Sequence, residues 1–258
     1  MKVARAIVDA RRDRIAASLA RRRYLGIAEL CAQFGISGAT ARRDMNALEE
    51  AGRITRTRGG ALGDYNSSFA SFSERERRAH DAKLRVAELA VALLRPGAIC
   101  YLDAGSTLLA VARRLAANPV ENLTIVTNSL PAAGALGGAA GMRLYLLGGE
   151  VLDRQGALLG PKARAALRDW RFDTALLGAE GFDKTGVWNS HPDIVQFQRD
   201  ILARARLARV CLDGGKLGHR TAHLLAAWRD APGVITDLPR GKLPAFLPAG
   251  KFPPAPAS

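Results

Sequence analysis

The sequence predicts an α/β protein in two parts: a small, basic helical unit at the front and a larger domain built on a mostly parallel sheet. Three observations carry that reading. The chain has 258 residues, 48% of them hydrophobic and 24% charged, an ordinary globular composition with room for one small and one medium domain. From Ile99 onward, short apolar runs alternate with helical patterns, as βα units around a parallel sheet require. The net charge is +14, and half of it lies in residues 1–62, which hold 13 Lys/Arg against 6 Asp/Glu. Charge concentrated in this way implies a polyanionic partner.

In the front unit a first helix is predicted over Asp9 to Arg22, with Ile15, Leu19 and alanines on one face and arginines on the other. Gly26 interrupts the pattern. A second helix, Ile27 to Phe34, is expected to bury Leu30, Cys31 and Phe34. The turn Gly35-Ile36-Ser37 follows, with Ser37 placed as N-cap of a third helix. In that helix Ala41, Met45 and Leu48 recur at i, i+4 and i+7 and face inward, leaving Thr40, Arg42, Arg43 and Asn46 outward. The arrangement has helix-turn-helix spacing, and the outward residues suit DNA: Arg forks to guanine or clamps a phosphate, and Asn pairs with adenine. Gly52 to Gly60 alternates around β-branched residues between glycines, as a small wing would, and carries Arg56 and Arg58. A basic three-helix bundle with solvated arginines is the plainer alternative. Turn, cap, inward triplet and basic wing in this order favour a winged helix-turn-helix over residues 1–62, with double-stranded operator DNA as its partner and the Gly/Ser/Asn stretch 63–71 as a linker.

The larger domain, 72–240, opens with a charged helical run from Glu74 to Leu94, whose Arg75, Arg77 and Arg78 read as a solvated face. The strand Ile99 to Leu102 then meets Asp103-Ala104-Gly105-Ser106-Thr107 and a helix. A strand, a Gly-Ser-Thr turn and a helix can hold a phosphate through free N–H groups, the helix dipole and hydroxyls. Further strands run into Thr127-Asn128-Ser129, Gly148-Gly149-Glu150, Gly178-Ala179-Glu180-Gly181 and Asp213-Gly214-Gly215-Lys216. Parallel strands put all of these loops on one edge. The candidate ligand residues are therefore Asp103, Gly105, Ser106, Thr107, Thr127, Asn128, Ser129, Gly148, Gly149, Glu150, Glu180, Asp213 and Lys216, which suit a small polyhydroxylated phosphate. Singly, such loops are ordinary strand ends; together they favour a site. Residues 241–258 hold five prolines and read as a loosely ordered tail.

Several classes fall away. GxGxxG, the P-loop, GxSxG and HExxH do not occur. His80, His191, His219 and His223 lack ligand spacing, and Cys31, Cys100 and Cys211 lie far apart, so no metal, cofactor or disulfide framework is expected and the cysteines read as buried thiols. The charge-free stretch Asn122 to Met142 contains Asn, Ser, Thr, Pro131 and several glycines, unlike a membrane span. The first residues reach Asp9 and Arg11 before an apolar run can form, so no secretory signal is expected and the cytoplasm is the expected location.

The chain resembles the DeoR-type bacterial transcription regulators from about residue 5 to 237. The resemblance rests on Leu30 to Ser37, Thr40 to Met45 and Arg58 to Ala61 in the front unit. In the larger domain it continues through Phe72-Ser73-Glu74-Arg75 with Lys83, Asp103 to Thr107, Val126 to Ser129, Leu147 to Glu150, Gly160-Pro161, Phe172-Asp173 and Gly178 to Gly181. It implies a repressor of carbohydrate-metabolism genes and not an enzyme. Its sensor domain would be related in fold to ribose-5-phosphate isomerase, and a phosphorylated sugar intermediate would control operator binding by a homo-oligomer. Two stretches depart from the family pattern: Asp213 to Gly218 keeps Asp213 and Lys216 but lacks hydroxyls between them, and Asp193 to Arg199 keeps only Arg199 of a Glu…Lys-Arg group. A competing reading is an isomerase with a DNA-binding appendage, using Asp103, Glu180 or Asp213 as base and Lys216 as electrophile. A third, a structural nucleoid protein, would need no ligand edge.

Overall fold

In the computed structural model the described residues are 5–22, 24–51, 53–57, 60–63 and 71–247. They form two compact units, Met1–Ala70 and Ser71–Ser258.

The first unit runs α1 (Arg5–Arg22), β1 (Tyr24–Gly26), α2 (Ile27–Phe34), α3 (Gly38–Glu50), β2 (Ile54–Thr57) and β3 (Gly60–Gly63). Ser37 caps α3 by accepting from the Thr40 amide at 3.2 Å, and Gly35 turns the chain at the left-handed φ of 62°. Ile15, Leu19, Leu25, Leu30, Met45, Leu48, Ile54 and Ala61 make the core. Cys31 and Phe34, expected inside, are half-buried, because only Leu30 of α2 points at the centre of the bundle. The first helix begins at Arg5 rather than Asp9. The residues after it form a strand rather than a bare interruption, with β1 pairing antiparallel to β3 to give the sheet order β1-β3-β2. Gly60 is required there, since a Cβ would lie 2.1 Å from the Leu25 carbonyl. The wing strand β3 extends through Gly63, which the sequence pattern places in the linker, because pairing with Ile54 holds it in the sheet. Arg58, Gly59 and the rest of that linker up to Ala70 lie outside the described residues.

The second unit begins at Ser71, which is also removed from the linker: it caps the next helix, accepting from the Glu74 amide and donating its own to the Glu74 carboxylate at 2.7 Å. The charged run expected as one helix is two, α4 (Phe72–Arg77) and α5 (His80–Val91). Arg78 is extended and Ala79 left-handed at φ 53°. The break is held by Lys83, whose ammonium donates to the Arg75 and Arg78 carbonyls that end α4.

Next come β4 (Ile99–Leu102), α6 (Ser106–Ala117), β5 (Thr124–Thr127), α7 (Leu130–Leu136), β6 (Arg143–Leu146), β7 (Glu150–Leu152), β8 (Ala157–Leu159) and α8 (Pro161–Ala166). They are followed by β9 (Phe172–Gly178), β10 (Gly181–Phe182), β11 (Gly186–Asn189), α9 (Pro192–Leu202), β12 (Ala205–Cys211), β13 (His223–Ala227) and β14 (Gly233–Ile235). Six strands form one parallel sheet in the order β14-β12-β9-β4-β5-β6. Alternate residues feed two cores: Cys100, Leu102 and Ile125 meet α5, α6 and α7, while Tyr101, Val126 and Val210 meet α8, α9 and the small sheet β10-β11-β13. Cys100 and Cys211 are buried thiols whose pKa values burial raises. The tail packs as far as Leu247, which joins the core beside Trp228, so its first residues are not loose; residues 248–258 lie outside the described set.

In the first unit Asp44 is buried and takes the Arg11 and Arg12 guanidiniums at 2.7 and 3.0 Å. Asp44→Ala should destabilise α3 against α1 by about 1–3 kcal/mol. Hydrogen exchange in the whole protein should show faster exchange in α3 and unchanged rates in β4 and β9; unchanged α3 rates would show that the ion pairs contribute nothing.

Candidate functional site

On the front unit, Ser37, Arg42, Arg43 and Asn46 are exposed and Thr40 is half-exposed along the first two turns of α3. Arg56 lies on β2 opposite Ala61, and Arg58 lies outside the described residues. Ala41, Met45 and Leu48 are buried opposite. The helix therefore presents a continuous polar and basic face, the arrangement by which a recognition helix reaches base edges.

In the second unit the chain leaves β4 in one direction to β5 and β6 and later returns to its other side with β9, β12 and β14. The gap between the β4 and β9 ends is a topological switch point, where open α/β sheets hold ligands. Asp103, at the end of β4, spans it. Its carboxylate accepts from the amides of Ala104 (2.9 Å) and Gly178 (3.0 Å) and from Gln198 Nε2 (2.6 Å), and lies 3.3 Å from the Tyr101 hydroxyl. Gln198 also donates to the Gly178 carbonyl and accepts from Asn189, whose own oxygen takes the Glu180 amide. Burial raises the pKa of Asp103 against the lowering effect of these donors. The carboxylate has no open lone pair facing solvent. Asp103 is thus a tie between strands and not the sugar-hydroxyl acceptor the sequence suggested.

Thr127, Asn128 and Ser129 are likewise internal. Thr127 Oγ1 accepts from the Ser129 amide, Asn128 joins Tyr101 to the Leu158 carbonyl, and Ser129 caps α7. All three are buried, so the β5 loop supports the edge rather than offering groups to a ligand. Gly148, Gly149 and Glu150 stand two strands away at the end of β6, roughly 10 Å along the edge from β4.

Open donors gather at the switch point itself. Gly105, at φ 133°, is the N-cap of α6 and supplies no side-chain cap, so the first amides of this helix have no intrahelical acceptor. Ser106 starts the helix, and Thr107 Oγ1 is buried with no hydrogen-bond partner. On the same sheet edge, after β12, Lys216 donates to the Ala179 carbonyl at 2.8 Å and lies 3.7 Å from Asp213. Burial lowers its pKa, opposed by Asp213 and Glu180. Glu180 accepts from the hydroxyl of Ser190. Lys83, which the sequence showed only as a point of family resemblance, is buried nearby. Burial above all, with Lys216 next, lowers its pKa to about 8. The site therefore joins helix amides, a spare hydroxyl and two lysines. Among the described residues no cluster of His, Cys, Asp and Glu could hold a metal ion, and no helix is long and apolar enough to cross a membrane.

Residues 78–238 match the DeoR C-terminal sensor domain, and residues 11–67 match the DeoR-like helix-turn-helix domain. The chain belongs to the DeoR family. The HTH-type transcriptional repressor GlcR of Bacillus subtilis is 32% identical over 210 residues, covering 81% of this chain and 80% of that one. The glycerol-3-phosphate regulon repressor of Escherichia coli is 30% identical over 219 residues, covering 84% and 85%. A solved ribose 5-phosphate isomerase from Methanocaldococcus jannaschii overlaps 54% of each chain at 20% identity with a TM-score of 0.40; the fold assignment rests on the sheet order instead. As a DeoR-family protein the chain is a transcription regulator with its helix-turn-helix in the first unit and its sensor domain in the second. Gln198 and Asn189 were not singled out in the sequence, and no local spacing marks them. Gln198 falls within one of the two stretches that depart from the family pattern.

Asp103→Ala would leave the half-buried Gly178 amide without its acceptor and Gln198 Nε2 with only the Gly178 carbonyl, and should lower the stability of the sensor unit by about 1–3 kcal/mol. Urea unfolding followed by tryptophan fluorescence reads this directly. A loss under about 1 kcal/mol would remove Asp103 as the tie between β4 and β9.

Proposed function

We propose that the chain represses carbohydrate-metabolism genes by binding operator DNA through α3 and the wing, and that a phosphorylated sugar intermediate bound at the β4–β9 switch point changes its operator affinity. The observation that carries this reading is the uncapped N-terminus of α6 with its unpartnered Thr107 hydroxyl, on the sheet edge that also carries Lys216. A phosphate would accept from the amides of Ser106 and Thr107 and from both hydroxyls, with Lys216 balancing its charge. Glu180 and Asp213 are the carboxylates that act on Lys216, and sugar hydroxyls are assigned to them. The relative named as a glycerol-3-phosphate regulon repressor supports a phosphate ester as the ligand class. Catalysis is disfavoured: Asp103 is filled by protein donors, and Lys216 already serves the Ala179 carbonyl. A homo-oligomer follows from the paired half-sites that helix-turn-helix proteins read.

On the DNA side, Arg42, Arg43 and Asn46 read bases, while Ser37, Thr40, Arg56 and Arg58 meet the backbone. Arg43→Ala should weaken binding to an operator selected in vitro by about 1–3 kcal/mol and relax base preference there. Equal loss on all duplexes would instead make Arg43 a phosphate contact.

On the ligand side, Thr107→Val removes a buried hydroxyl that has no partner. It should leave the free protein as stable as before or raise its stability by up to about 1 kcal/mol. In a thermal-shift titration with glycerol 3-phosphate, glucose 6-phosphate and fructose 1-phosphate, the ester that raises the wild-type Tm should bind this variant about fivefold or more weakly, the loss of one charge-assisted hydrogen bond. If no ester shifts the wild type, the ligand assignment fails.

A further inference from the structure

The first element after the segment joining the two units is α4, and six residues cannot hold a helix in water by themselves. What holds α4 is the ligand edge. Arg75 donates to the Arg154 carbonyl at 2.6 Å, and Glu76 pairs with Arg113 of α6 at 2.5 Å. Its last carbonyls are taken by Lys83. That lysine is buried, with 4% of its surface exposed, and none of its hydrogen bonds goes to a carboxylate. Lys216, Arg75 and Arg78 oppose its charge and Asp213 favours it, and Glu76, Glu88, Arg113 and Arg114 line a cavity with it. Ser106 lines the same cavity of about 270 Å³ as Lys83, His80 and Glu76. Among the described residues, then, a buried ammonium that shares a cavity with Ser106 is bonded to the carbonyls of Arg75 in α4 and of Arg78 just after it.

We propose that Lys83 couples ligand to operator: a phosphate held at the α6 N-terminus draws the Lys83 ammonium off the Arg75 and Arg78 carbonyls, releasing α4 and with it the start of the segment that leads to the DNA-binding unit. This rests on the ligand reading given above. It makes Lys83 a positioning residue, because its effect on DNA passes through α4. Carbonyls are weaker partners for an ammonium than a phosphate dianion is, so the ligand has a differential affinity for the two positions of the lysine, as any coupling requires.

The test uses the full-length protein, the three esters above and an operator selected in vitro. Lys83→Met should bind the active ester about fivefold or more weakly, the loss of one phosphate–ammonium contact, and at ester concentrations that saturate the variant the ester should change its operator affinity less than twofold. Lys83→Arg, which keeps the cation, should restore most of the response. A wild-type response in Lys83→Met once it is saturated with ester overturns the proposal, as does ester binding unchanged from wild type. If no ester binds the wild type, the ligand reading fails by itself, and the joint is read without ligand. Hydrogen exchange at residues 75–82 should then rise about tenfold in Lys83→Met relative to α6, and unchanged exchange overturns the joint. Should Lys83→Met not fold, Ala79→Gly serves. Glycine relaxes the left-handed residue and favours the broken helix, so it should shift the ester concentration for half response by about threefold or more, and no shift overturns the role of the break.

Discussion

The sensor unit depends on one buried carboxylate. A parallel sheet wound outward in two directions has its weakest point where the first strand meets the strand that returns on its other side, because no short connection joins them. Asp103 closes that point with hydrogen bonds to Gly178 and Gln198, and Gln198 extends the closure through Asn189 to the Glu180 amide. Each donor along this relay meets an acceptor, which is the condition under which a buried polar network rigidifies a fold instead of weakening it. Gly178 has no room for a side chain, since a Cβ there would lie 3.1 Å from both the Ala104 carbonyl and Leu108, so the two loops meet backbone to backbone. The proposed ligand edge has a fixed floor for this reason.

The same logic sorts the edge into two kinds of loop. After β4 and β5, the residues Asp103, Thr127, Asn128 and Ser129 spend their hydrogen-bonding capacity on the protein. Around Gly105 to Thr107 an unpartnered hydroxyl joins the free first amides of α6, and two lysines, Lys83 and Lys216, are buried enough for their pKa values to fall. A surplus of donors in a half-enclosed place is what an anion needs. The front unit shows the complementary case: Asp44 neutralises Arg11 and Arg12 on the inner side of α3, so that the outward arginines remain for a polyanion.

Much of this was legible in the sequence. Periodicity placed α2, α3 and the strands of the main sheet, since apolar spacing at 3.6 and 2 residues reports burial directly. It failed where structure depends on a single conformation or on distant partners. The break at Arg78 and Ala79 sits between two helical patterns in phase with one composition, and only the left-handed Ala79 marks it. Strand β1 has three residues, too few to alternate. At the proposed site, residue type and loop position singled out Gly105, Ser106, Thr107 and Lys216 as candidates. Neither could say that Asp103 faces inward, because its partners lie 75 and 95 residues away. Lys83 looked like any helix lysine, since burial of a single cation leaves no trace in composition.

A sensor must also be able to lose something when its ligand arrives. A site whose donors were all satisfied by rigid strands could bind a phosphate tightly and change nothing, for equal affinity toward two states shifts neither. Here the rigid and the releasable parts are separate. The floor is strand backbone tied by Asp103, and the cover is a helix of six residues held by an ammonium, an ion pair and one guanidinium bond. Contacts of this second kind are individually weak and partly exposed to water. The element nearest the connecting segment is therefore the one whose hold on the domain a charged ligand can most readily alter, while the sheet beneath it keeps its shape.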